Sequence, residues 1–268
     1  MSPALHRGAA VPGLLLCSFA ALPGCTRRAP TPADTLRVAA AADLAFAFTE
    51  IGDAFARRGG PKPAFTFGST GLLSKQIEQG APFDVFAAAS RAYADDVVRA
   101  SACDGATRAE FARGRLVLWF RSGSVPAPPA SLAGLSDRRF RRIAIANPEH
   151  APYGRAAEQA LEHAGVWEAV KPRLVYGENV QQALEFGRTG NADAAIVAMS
   201  LAITTPEGVY LAVDPSYHAP IEQVLVVCNR GKKARDGMRF AEFVQGVDGR
   251  AILKKYGFSI PSGTEQRR

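Results

Sequence analysis

At 268 residues, 47% of them hydrophobic, the chain is long enough for one large domain or two smaller ones with real buried cores, which excludes a disordered polymer. Its 32 Lys and Arg against 25 Asp and Glu give a formal charge of +7 and favour anionic partners. The basic residues, however, occur only in short groups such as Arg138-Arg139, Arg141-Arg142 and Lys232-Lys233; with no clustered stripe, they read as solvated surface charge rather than a nucleic-acid interface.

The first 25 residues read as an export signal. His6 and Arg7 precede an apolar run from Val11 to Leu22, which ends at Pro23-Gly24-Cys25. The run is too short for a permanent membrane-spanning helix, which takes about 20 apolar residues. "LPGC" resembles a bacterial lipobox, where cleavage leaves a lipidated cysteine, here Cys25; Pro23 departs from that pattern, so simple cleavage near by stays open as the alternative. Residues 26–35, "TRRAPTPADT", read as a Pro-rich tether. Cys17 and Cys25 belong to the leader. Cys103 and Cys228 are expected to be buried small apolar residues, since nothing local brings them together, with a bridge between them as the alternative.

From residue 36 strands and helices alternate. "LRVAAAA" is a short apolar strand, and "LAFAFTEIGDAFARRGG" places Leu44, Phe48, Ile51 and Phe55 on one helix face before stopping at Gly59-Gly60. "PAFTF" is a second strand, "GLLSKQIEQG" a second helix and "FDVFAAAS" a third strand, a βαβαβ pattern that predicts a parallel sheet covered by helices. The pattern then restarts: strand "GRLVLWF", a Pro-rich connection with a short helix, strand "RRIAIANP", helix 155–164, strand "RLVYG", helix 179–188 and strand "DAAIVAM". A return strand "IEQVLVVCN", helix 234–246 and "GRAILKKYGF" follow, which suggests two α/β lobes with a chain that crosses between them more than once.

Open parallel sheets bind ligands beyond the carboxyl ends of their strands, which directs attention to four strand-to-helix junctions. At the first, Ala40-Ala41-Ala42-Asp43, the carboxylate is a good N-cap. At the second, Gly68-Ser69-Thr70-Gly71, Ser69 or Thr70 can cap a helix starting near Gly71, and no Gly-Lys-Ser/Thr follows to make a phosphate-binding P-loop. The third, Asn147 to Arg155, uses two prolines to hold an extended loop that leaves the amides of Tyr153 and Gly154 at a helix start. At the fourth, Asn179 caps and the Val180 amide is left over. Each alone is an ordinary turn; four facing one cleft would form a nest of amides and hydroxyls suited to an oxyanion.

The segments "VAAAADL", "FGSTGLLSKQIEQGAPFDVFAAAS", "IAIANPEHAPYGRAAEQAL", "YGENVQQAL" and "ILKKYGF" together resemble the molybdate-binding proteins of bacterial ABC importers, collinearly from about residue 36 to 262. The resemblance implies a class II periplasmic-binding-protein fold, an α/β architecture of two lobes, a hinge and a ligand cleft. Residues 36–114 with 226–262 would form lobe one, 115–225 lobe two, and 263–268 a tail. It also implies a monomeric, extracytoplasmic binder of molybdate or tungstate that needs no cofactor, works with an ABC permease and is not an enzyme. Carried over by position, Thr70 with Ser69 beside it supplies hydroxyl and amide from lobe one, and Tyr153 and Val180 supply amides from lobe two; Ala42 and Gly154 flank them.

Two positions depart from the family. Where many relatives carry a neutral side chain this sequence has Asp43, and a carboxylate 4 Å from an anion is unfavourable by roughly 4 kcal/mol per unit-charge pair at an effective dielectric of 20. Asp43, itself in the oxyanion-binding set, is therefore expected to cap its own helix and leave at most its amide to the ligand, or to be offset by Arg155. Where some relatives use a tyrosine hydroxyl, this register gives Ala198, with Ser200 as the displaced substitute. His150 and Glu149, adjacent on an extended segment, and His163 and His218 lack metal-ligand spacing, so no direct metal ligand is expected. His150 is expected at the cleft rim. Two alternatives remain: another tetrahedral oxyanion such as sulfate or phosphate, and an exported hydrolase using Ser69 or Thr70, for which no base is placed.

Overall fold

The computed structural model describes residues 35–124, 127–229 and 231–261. The expected export signal, Cys25, nearly all of the tether and the tail lie outside these residues. Among them, no helix is long and apolar enough to cross a membrane.

Two five-stranded sheets organise the chain. The first comprises β1 (Leu36–Ala41), β2 (Pro63–Gly68), β3 (Val85–Ala88), β4 (Ala109–Gly114) and β10 (Ile221–Val227) in the order β2-β1-β3-β10-β4. β1 runs parallel to β2 and β3, whereas β10 is antiparallel to β3 and β4. The second comprises β5 (Leu116–Arg121), β6 (Ile143–Ala146), β7 (Leu174–Gly177), β8 (Ala194–Ala198) and β9 (Gly208–Ala212) in the order β7-β6-β8-β5-β9, with β6 parallel to β7 and β8 and β5 antiparallel to β8 and β9. The central strands read as unbroken apolar runs because helices cover both of their faces, leaving no solvent side for polar residues.

Helix α1 (Ala45–Arg57) buries Phe48, Ile51 and Phe55 at the spacing its sequence announced, and Phe48 and Phe55 meet Phe240 of α8 (Ala234–Gln245) edge-on at centroid separations of 5.9 and 5.4 Å. It stops at Gly59, whose φ of 81° is the left-handed conformation that lets the chain turn back. The other helices are α2 (Thr70–Glu78), α3 (Arg91–Arg99), α4 (Pro152–His163), α5 (Trp167–Val170), α6 (Val180–Arg188), α7 (Met199–Ala202) and α9 (Val247–Lys255). The periodicity reading passed over β4, β9, α3, α5 and α7. Both strands are partly exposed, and β9 lies at a sheet edge.

The chain leaves the first sheet at Gly114 and enters the second at Leu116, with Arg115 alone between them. It returns before Ile221, so the whole of β10 belongs to the first sheet. The expected lobe boundary between 225 and 226 falls within this strand.

Cys103 and Cys228 form a disulfide, contrary to the expectation of two unlinked apolar residues. The residues are 125 apart in sequence, but β10 runs back beside β3 and places Cys228 in an antiparallel bridge with Cys103, just beyond α3. That juxtaposition is a product of sheet order.

Candidate functional site

The four junctions converge on a small cavity between the two lobes, about 10 Å³ in volume, with Ala42, Asp43, Ser69, Thr70, Tyr153, Asn179 and Val180 among its walls. Among the described residues, no Lys or Arg lines it, and Asp43 is the one ionisable carboxyl in its wall. Gly154 and Ser200 are not part of the wall. The starts of α2, α4 and α6 and the 3-10 turn Ala42–Leu44 all open onto it, so several helix-terminal amides face one space. At α6 the Asn179 side chain accepts from the Gln181 and Gln182 amides, each at 3.0 Å, which leaves the Val180 N–H outside the cap. At α4, Gly154 fits because its Cα lies against the end of β6: an added Cβ would sit 2.3 Å from Ala146 O.

Thr70 Oγ1 accepts from the Ala89 amide at 3.2 Å, an arrangement that leaves the hydroxyl proton available for a further bond. Ser69 occupies the N-cap position of α2 but does not cap it with its side chain, and the helix begins at Thr70, beside Gly71 as expected. Its Oγ instead lies 2.8 Å from His150 O and 2.8 Å from His150 Nδ1 across the cleft. The hydroxyl has one proton and the carbonyl only accepts, so the proton goes to the carbonyl and Nδ1–H donates back to Oγ. Gly71 N donates to the same carbonyl at 2.9 Å, and Tyr93 Oη donates to Glu149 O at 3.3 Å while accepting from Arg155 at 2.8 Å. His150 thus stands at the rim, in a cross-lobe clasp.

Asp43 does not cap its helix. The turn it belongs to has Ala41 as its N-cap with no side-chain bond, and Leu44 is the N-cap of α1, likewise with none. Arg155 does not offset the carboxyl either; its guanidinium bonds to Pro148 O, Glu149 O and Tyr93. The Asp43 side chain is 1% exposed and turns inward, where Oδ2 accepts from Tyr153 Oη at 3.0 Å and from Gln223 Nε2 at 2.8 Å. Oδ1 is buried with no hydrogen-bond partner among the described residues. Ser200 Oγ donates to Asp43 O at 2.7 Å, so the hydroxyl expected to replace a ligand from the Ala198 register binds backbone instead. Ala198 itself is fully buried within β8. Asp43 therefore joins lobe one to lobe two twice, through Tyr153 and through Ser200. Gln223 had a signal in the sequence: it is the one inward polar residue of the apolar strand β10, at 0% exposure.

Burial pushes the Asp43 carboxyl up from 3.8 to about 7, offset in part by the Tyr153 hydroxyl, its own backbone and Gln223. Burial first, then the Asp43 charge, hold the Tyr153 phenol well above its ordinary value, so it remains an O–H donor. Because the folded state binds the Asp43 proton more tightly than the unfolded chain, the stability this group contributes is full below about pH 4 and is lost as pH rises through about 7. Asp43→Asn removes the titration. Relative to wild type, its unfolding free energy should therefore rise by on the order of 3 kcal/mol between pH 5 and pH 8. Urea melts of both proteins at the two pH values check this, and a difference that does not change with pH would refute it.

Residues 36–259 match the family model of bacterial extracellular solute-binding proteins. The chain belongs to this family. The solute-binding protein is 32% identical over 229 residues to the molybdate-binding protein ModA of Rhodobacter capsulatus, covering 85% of this chain and 90% of that one. It is 31% identical to the Escherichia coli ModA, over 84% and 89% of the two chains. Among solved structures it superposes on the periplasmic molybdate-binding protein of Azotobacter vinelandii with a TM-score of 0.78 at 29% identity, over 84% of this chain and 99% of that one. The expected class II periplasmic-binding-protein fold, with two α/β lobes and a cleft between them, is the fold of this solute-binding protein.

Proposed function

We propose that the protein captures molybdate or tungstate outside the cytoplasm and delivers it to an ABC permease, as a binding protein without catalytic turnover. The observation that carries this reading is the convergence of four helix-start junctions from both lobes on one cavity whose walls, among the described residues, hold no Lys or Arg. Pre-aimed amides and hydroxyls stabilise an oxyanion without reorganising, and cavity size selects its radius. The molybdate-binding proteins to which the chain is similar support molybdate among tetrahedral anions.

In this reading Thr70 donates its hydroxyl, Tyr153 and Val180 donate amides, and Ser69, Asp43 and Ala42 complete the wall. Gly154 sets the Tyr153 amide by its close approach to β6. The cavity holds about one water, so a four-oxygen anion enters with the lobes apart and is enclosed by hinge closure about residues near Arg115 and the chain preceding β10. The cross-lobe bonds of Ser69, Gly71, Tyr93 and Asp43 stabilise the closed form that a permease would recognise. The lobes comprise residues 36–114 with 221–261, and 115–220. The protein acts as a monomer, and the "LPGC" leader ends either in lipid anchoring at Cys25 or in simple cleavage near by.

Isothermal titration with molybdate, tungstate, sulfate and phosphate tests the assignment: binding of the first two is expected, and binding of sulfate or phosphate with no response to molybdate would sink it. Thr70→Ala should weaken molybdate binding by about 10- to 100-fold, the range for a hydrogen bond to a charged group. An unchanged dissociation constant would remove Thr70 from the site.

A further inference from the structure

We propose that Asp43 enters the anion complex as the neutral carboxylic acid, its Oδ1 donating a hydrogen bond to the oxyanion, so that each anion is captured together with one proton. This rests on the oxyanion reading above and specifies the chemistry of that site: it takes a dianion plus a proton from solvent.

The geometry of the carboxyl carries the argument. Both of its protein donors, Tyr153 Oη and Gln223 Nε2, converge on Oδ2, which serves as their acceptor whether or not the group is protonated. Oδ1 is buried without a partner, and the residue lines the cavity. A proton on Oδ1 therefore finds no acceptor among the described residues, and an oxyanion in the cavity supplies one. A carboxylate at the same place would instead set a negative charge against the anion with no Lys or Arg among the described residues of the wall to offset it. Whether the shared proton sits nearer Oδ1 or the anion oxygen does not alter the count: one proton is bound per anion.

The groups facing Asp43 agree. From α4 comes the Tyr153 hydroxyl, kept protonated by burial; from β10 the neutral Gln223 amide; from α7 the Ser200 hydroxyl, bonded to Asp43 O. On the cavity's far side, His150, from the loop before α4, is engaged with Ser69. The walls from α2 and α6 bring Thr70 and Val180, which do not titrate. Burial already holds the carboxyl near neutrality in the free protein, and an adjacent dianion draws the proton more tightly.

The test is isothermal titration of molybdate into the full chain from pH 6 to 9, in two buffers of different ionisation enthalpy at each pH, for wild type and Asp43→Asn. In wild type the dissociation constant is expected to rise toward tenfold per pH unit above about pH 7.5, with close to one proton taken up per anion at pH 8. Asp43→Asn, a neutral side chain of the same shape, is expected to change less than about threefold across the range and to take up no proton. It also accounts for any protonation of molybdate itself. Wild-type binding that is flat with pH and independent of buffer overturns this proposal and leaves the oxyanion reading standing, as does an equal pH slope in the variant. If molybdate, tungstate, sulfate and phosphate all fail to bind wild type at every pH, the oxyanion reading falls and this proposal with it. The wild-type proton count decides alone should the variant not bind.

Discussion

Removing the Cys103–Cys228 disulfide, by Cys103→Ser together with Cys228→Ser, is expected to lower the unfolding free energy by about 3–5 kcal/mol and the melting temperature by about 10 °C or more. The bond closes a loop spanning 125 residues, which includes the whole of the second sheet and both crossings between lobes. In the chain-entropy account a loop of that length restricts the unfolded ensemble near the upper end of the usual range. A loss of this size is a large fraction of the 5–15 kcal/mol that typically holds a domain folded. Both sulfurs lie in lobe one, away from the cavity walls, so molybdate affinity at low temperature should stay within about twofold of wild type. Thermal melts of wild type with and without reductant, and of the double serine variant, measure the effect. Melting points within 1 °C of one another would show that the bond does not constrain the chain as argued.

Gly154→Ala is expected to weaken molybdate binding at least tenfold and to destabilise the fold by about 1–3 kcal/mol. The added methyl would lie 2.3 Å from Ala146 O and 2.8 Å from Pro148 N, both backbone atoms that no rotamer change can move aside. The turn cannot readily yield, because Asn147 N donates to Gly177 O at 2.7 Å and the Ala151 amide donates to Asn147 O at 2.9 Å. The start of α4 must therefore shift outward, taking with it the Tyr153 amide and the Tyr153 hydroxyl that donates to Asp43. The two readouts are the dissociation constant by titration and the midpoint of a urea melt; a variant equal to wild type in both would mean that the contact relaxes without moving the site.

How much of this was readable from the residues depended on distance along the chain. The strands "LRVAAAA" and "RRIAIANP", the face Phe48-Ile51-Phe55, the stop at Gly59 and the Asn179 cap are all set by neighbours within about a turn or a strand. Each is where the sequence places it. The missed elements β4 and β9 carry charged or exposed residues, because strands at or near a sheet margin need bury only part of their surface and so lack an apolar signature.

The sequence by itself determined the alternation of strands and helices, the four junctions and the amides left at their helix starts, since capping and periodicity are local. Tertiary structure alone decided what Asp43 does. Its partners Tyr153, Ser200 and Gln223 lie 110, 157 and 180 residues away. The same holds for the disulfide across 125 residues and for the clasp of Ser69 on His150 across 81. Such partners are chosen by sheet order and by the path of the chain between the lobes, and a side chain's immediate neighbours in sequence carry no record of either.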